Sequence, residues 1–254
     1  METSGCIPNN KQPMSNVRRA YFIRLAGRCL LFCMCVCLWI WRPEAFDVLF
    51  GMNFFKRLSP LHFMWVIWIA DMICQLVPAG RSVSLGSHKL FEKRFKPAPE
   101  RINYDSLKEY ILSTTRSAYK VMVLWLALAA AIGWLYFTKV INRTVMFMIT
   151  AAFSICDLIC VLIWCPFRLL MKTRCCTTCR IFNWDHLMMF TPMVFVKSFY
   201  SWSLFFMSLL VFIVWELFVL MYPERFWEQS NDALKCANCT DKLCTQYCRK
   251  LTRK

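Results

Sequence analysis

The residues with the most chemistry stand together in Arg174-Cys175-Cys176-Thr177-Thr178-Cys179-Arg180-Ile181-Phe182-Asn183-Trp184-Asp185-His186, with a second cluster, Cys236-Ala237-Asn238-Cys239, Cys244 and Cys248, near the C-terminus. Cys176 and Cys179 are two residues apart in the sense of a C-x2-C pair, as are Cys236 and Cys239. Each pair lets two thiolates grip one metal from a tight turn, and two pairs make the four-thiolate arrangement usual for structural zinc. Cys175, Cys244 and Cys248 are surplus. They suit exchange into that site, a second site, or an iron–sulfur cluster, which also uses thiolates. Asp185 reads as the N-cap of the span that follows, with Trp184 at the headgroup level, and His186 beside it is a ligand, a proton carrier or an interfacial contact.

What must position these residues is a membrane. Of 254 residues, 58% are hydrophobic and only 18% charged, which is too apolar for a soluble domain of this length. The net charge of +16 falls in short segments between apolar runs, where it sets topology and meets anionic lipid headgroups. No basic stretch outside those runs is interleaved with aromatics, so nucleic acid is not the expected partner. The sequence leaves oligomeric state open.

The chain reads as an all-α integral membrane protein with six transmembrane helices in three hairpins and a cytoplasmic cysteine-rich metal site. Residues 1–20 form a cytoplasmic tail, 21–79 a first hairpin, 80–118 a loop and 119–166 a second hairpin. Residues 167–185 form the cysteine-rich linker, 186–222 a third hairpin and 223–254 a cysteine-rich tail. In the first span the arginines, Arg28 among them, are expected to snorkel toward the headgroups. Residues 44–58 read as interfacial. Ser106-Leu107-Lys108-Glu109 has the capping-box pattern and opens a long helix through Phe137. Thr191-Pro192 kinks the fifth span, and 186–222 divides into two short helices joined near 197–202. On this topology 24 Lys and Arg lie on inner segments and six on outer ones, so the positive-inside rule puts both termini and both cysteine clusters in the cytoplasm of a multi-pass cell-membrane protein.

Ile69-Ala70-Asp71-Met72-Ile73-Cys74 resembles Ile155-Cys156-Asp157-Leu158-Ile159-Cys160, each in the returning helix of its hairpin, and the sixth span carries Glu216 in a similar place. A hairpin duplication explains the match. A carboxylate within a span costs roughly 2.5–3.5 kcal/mol on insertion scales, so Asp71, Asp157 and Glu216 either converge on a cation or proton site or each pair with a basic or backbone donor. Eight further cysteines lie inside apolar runs and read as small hydrophobic filler.

The stretch Cys-Cys-Thr-Thr-Cys-Arg-Ile-Phe-Asn-Trp-Asp resembles a motif of uncharacterised bacterial multi-span membrane proteins. That resemblance implies only that the motif belongs with its hairpin. There is no G-x-S-x-G, HExxH, GxGxxG or P-loop, and three histidines cannot build the histidine boxes of membrane di-iron enzymes. The leading expectation is therefore transport or sensing of a cation. A non-catalytic scaffold with structural zinc comes second, and a lipid-modifying enzyme using Asp185 and His186 third.

Overall fold

The computed structural model describes residues 15–77, 89, 91–92, 95–99, 102–171, 178–235, 238 and 243. The architecture is all-helical. Among the described residues the β-pairing consists of two isolated bridges, Gly51 with Ser198 and Pro97 with Asn231. Among the described residues four helices are long and apolar enough to cross a membrane: α1 (Asn16–Trp41), α3 (Tyr104–Phe137), α4 (Arg143–Leu162) and α7 (Phe199–Met221). α2 (Leu61–Leu76) is apolar but shorter, 16 residues, or about 24 Å of helix, and α5 (Phe167–Met171) is a short helix after α4.

Local chemistry sets most of the boundaries. Side-chain oxygens of Ser15, Asn142 and Ser198 accept from the backbone N–H groups of Arg18, Val145 and Ser201, capping α1, α4 and α7. Asn103 caps α3 by accepting from Asp105 and Ser106, so the helix begins before the Ser106–Glu109 capping box predicted for it. The asparagine carbonyl reaches the first free N–H groups and leaves Ser106 already inside the helix. At the other ends, α1, α2 and α7 stop at the residue before Pro43, Pro78 and Pro223. Proline excludes the helical conformation from its predecessor.

The connections gather at two ends. At one, the 3-10 turns Pro43–Leu49 and Asn53–Phe55 tuck under the bundle, with Phe46, Val48 and Leu49 buried. Gly51, at φ +48°, donates its N–H to Lys197 O (3.3 Å) and accepts from Phe199 N (2.9 Å). Arg143, from the start of α4, lies 4.0 Å over the Phe50 ring at the same end. At the other end, Ala98 donates to Ser230 O and Asp232 to Lys96 O. Tyr110 of α3 stacks on Trp227 there.

The main core joins α1, α2, α4 and α7. Along α7 the buried positions are Tyr200, Leu204, Ser208, Val211, Trp215 and Val219, a stripe in steps of three and four that a helix keeps on one face. Tyr200 fixes the stripe to α2 through its hydroxyl, which donates to Leu61 O at 3.0 Å.

The region expected to hold two similar short helices is divided unequally. After the 3-10 turn Ile181–Trp184 come a short α6 (Asp185–Phe190) and a 3-10 stretch Thr191–Phe195, and only then the long α7. Pro192 is the physical cause, since it has no N–H for an α-helical bond and shifts the backbone to 3-10. Such irregular backbone is tolerated at membrane depth only where protein surrounds it, and Met189, Phe190, Pro192, Met193 and Val196 are buried.

Gly133 of α3 allows the close approach to this stretch: a Cβ there would lie 2.6 Å from Phe195 Cζ. Gly133→Val is therefore expected to destabilise the detergent-solubilised protein by about 1–3 kcal/mol through overpacking. Thermal unfolding checks it, and Phe195→Leu in the same chain should recover part of the loss.

Candidate functional site: a buried charge cluster

Asp71 lies on α2 one turn before Gln75, Asp157 on α4 three residues after Ser154, and Arg28 on the first helix four residues after Arg24. Helical spacing puts each set on one face, and the packing turns the three faces together. Arg28 does not snorkel. Its side chain is 12% exposed and its two terminal nitrogens divide between two carboxylates, Nη2 donating to Asp71 Oδ2 at 2.8 Å and Nη1 to Asp157 Oδ2 at 3.1 Å. Nη1 also donates to the Ser154 carbonyl at 2.5 Å. The two members of the repeated sextet thus hold the same guanidinium.

A third carboxylate comes from α6. Asp185 Oδ1 lies 3.0 Å from His186 Nδ1 and accepts from the His186 backbone N–H at 2.8 Å, while Oδ2 accepts from Gln75 Nε2 at 3.0 Å. His186 is buried, with Nε2 facing Asp71 Oδ2 at 3.5 Å. The imidazole therefore sits between two carboxylates rather than at a headgroup interface. Such a chain, Asp185–His186–Asp71, can hold and pass a proton. It does not suit a histidine serving a nucleophile, because the ring nitrogen a nucleophile would need is turned to Asp71.

Charges do not divide evenly across the cluster. Asp71 faces Arg28, His186 and, at 4.0 Å, the half-exposed Arg24. Among the described residues Asp157 makes an ion pair with Arg28 alone, which it shares with Asp71, and Asp185 has His186 and a neutral amide. Three carboxylates therefore share two largely buried cationic partners, Arg28 and His186, with Arg24 only at the edge on the Asp71 side. Buried charge of this kind is costly unless met by a counter-ion or a proton.

Glu216 stands apart from the other two span carboxylates. Its oxygens are taken by Arg180 Nη2 (2.5 Å) and the Trp184 indole N–H (2.7 Å). Trp184 is buried against Phe212 in doing so, which corrects its expected place among the headgroups. Asp185, expected as a helix N-cap, spends its carboxylate on His186 and Gln75 instead.

Of the predicted thiolate ligands, Cys179 is described and buried. Cys175, Cys176, Cys236, Cys239, Cys244 and Cys248 lie outside the described residues. Among the described residues, Phe182 packs against the cluster holding Leu243, Leu158 and Leu162, and also against the one holding Cys179 and Trp184. Among the described residues no group of three or more His, Cys, Asp or Glu is placed to hold a metal.

Arg28 is the residue that sequence reasoning undervalued. The available signal was Arg24 and Arg28 one turn apart, facing inward on a helix whose neighbours each carry an aspartate. Compared with known protein families, curated proteins and solved structures, the chain matches none.

Proposed function

We propose that the protein is a six-span membrane protein that transports or senses a cation at the cluster of Arg28, Asp71, Asp157, Asp185 and His186. The observation that carries this reading is that Asp71, Asp157 and Asp185 share two largely buried cationic partners, Arg28 and His186. A proton or a cation arriving there lowers the electrostatic cost, and the guanidinium held between Asp71 and Asp157 can shift toward one carboxylate when the other is neutralised. Six passes follow if α2 and the 181–195 segment cross alongside the four long helices. The latter spans about 27 Å when its 3-10 and α turns are summed at their usual rises, close to the hydrocarbon thickness. The positive-inside excess then places both termini in the cytoplasm. Cys176, Cys179, Cys236 and Cys239 belong at that inner end, as ligands of a zinc clasp.

Proteoliposomes test the proposal. Wild type is expected to speed entry of at least one of H+, Na+, K+ or copper(I) down an imposed gradient, relative to empty vesicles. Asp157→Asn and Asp71→Asn, which keep the shape and one acceptor oxygen, are expected to cut that flux at least tenfold while the protein still elutes as a folded species. Undiminished flux in both variants overturns the proposal. The second reading, a structural polar clasp, is favoured by the 2.8 and 3.1 Å contacts of Arg28. It predicts stability losses with no flux in any protein.

A further inference from the structure

A cavity of about 230 Å³ opens between α3, α4 and the residues around α6, with Asp157 and Asp185 on its wall. Its lining is unusually rich in sulfur: Cys156, Cys160, Cys165, Cys179, Met188 and Met189 are six of sixteen residues. Cysteine and methionine make up 31 of the chain's 254 residues, a frequency that would supply about two.

Two of these cysteines are already paired. The Cys160 and Cys165 thiols, one on the last turn of α4 and the other in the turn after it, are hydrogen-bonded to each other and form no disulfide. The hydrogen bond from Cys160 lowers the pKa of the Cys165 thiol, as do the backbone N–H groups of Phe167 and Arg168 and the nearby Arg168 guanidinium; burial opposes the shift. These contacts favour the thiolate form of Cys165, and thiolates are the metal-binding form of cysteine.

We propose that Cys160 and Cys165 form a two-coordinate site for a soft monovalent metal ion, copper(I), in the sulfur-lined cavity beside the charge cluster. Hard cations take oxygen ligands in numbers, and the described lining of this cavity offers only two carboxylates, Asp157 and Asp185. Thiolate and thioether donors instead select copper(I). Binding forms two Cu–S bonds, releases to water whatever protons the two thiols carry, and changes no oxidation state. The bis-thiolate complex carries one negative charge, which Arg168 on the same wall complements. Copper(I) is then the cation of the function proposed above, and this identification rests on that reading, although the binding site itself does not.

The test uses the full chain in detergent under reducing, anaerobic conditions. Free copper(I) is held low by an excess of a chromophoric copper(I) chelator, so that isolated thiols stay unloaded. Alkylation by N-ethylmaleimide is then read cysteine by cysteine by peptide mass spectrometry. Copper(I) is expected to slow alkylation of Cys160 and Cys165 at least tenfold while leaving Cys74, exposed on α2, unchanged; Mn2+ should protect neither. Equal rates with and without copper(I), or equal protection by Mn2+, overturn the site. Cys165→Ser should also lose one equivalent of copper(I) retained through gel filtration, and undiminished retention counts against the site in the same way. Protection seen alongside flux indifferent to Asp157→Asn keeps the site and removes the transport reading. Asp157-dependent flux without protection removes the site alone.

Discussion

Arg28→Met is expected to lose about 3–5 kcal/mol of stability, the usual cost of removing one partner from a buried ion pair, and to leave little folded protein after extraction. Methionine fills most of the volume and keeps α1 apolar, so the loss comes from Asp71 and Asp157, which the guanidinium joins at 2.8 and 3.1 Å, and from the Ser154 carbonyl. Arg28→Lys should fall between. A single ammonium cannot present the planar fork that meets two carboxylates at once. The decisive comparison is Arg28→Met with Asp71→Asn and Asp157→Asn in one chain. Neutralising all three members removes the stranded charges, and stability to SDS should recover most of the way to wild type. If Arg28→Met alone resists SDS as well as wild type, the network is not what holds α1 to α2 and α4.

That network also shows how far the sequence could be read. The apolar runs and the prolines at 43, 78 and 223 marked the helix ends to within a few residues, because backbone sterics act locally. The repeated Ile-x-Asp-x-Ile-Cys sextet marked Asp71 and Asp157 as related. It could not show that both meet on Arg28, since that depends on which faces of α1, α2 and α4 turn toward each other. The hydrophobic pattern of a helix among lipid and helices is nearly uniform around its axis, as α1 shows by exposing Ile23, Leu30, Ile40 and Trp41 and burying Tyr21 and Cys35. Glu216 illustrates the same blindness: its place in the last helix suggested kinship with the aspartates, whereas its partners come from the linker. His186 was legible as a residue of interest, but its position between Asp185 and Asp71 follows from the break at Pro192, which lets a short, irregular segment enter the bundle.

Glu216→Ala is expected to be the second most damaging change, costing about 3–5 kcal/mol. The Arg180 side chain is 8% exposed and its Nη2 pairs with Glu216. Its buried Nε and Nη1 have no hydrogen-bond partner among the described residues, so removing the carboxylate strands a guanidinium. It also frees the indole of Trp184, which donates to the other oxygen at 2.7 Å. Glu216→Gln keeps an acceptor for the indole and should lose roughly 1.5–3 kcal/mol, the worth of a hydrogen bond to a charged group. A double-mutant cycle with Arg180→Leu and Glu216→Leu isolates the pair: the double variant should be more stable than the sum of the single losses predicts. Additive losses would mean that the contact is incidental. Because Trp184 precedes Asp185 and His186 in the chain, releasing it also loosens the backbone that sets the third carboxylate against Gln75 and the imidazole against Asp71. Glu216→Ala should therefore lower any Asp157-dependent flux even at temperatures where the protein remains folded, whereas a matched loss of stability made at Gly133 should not.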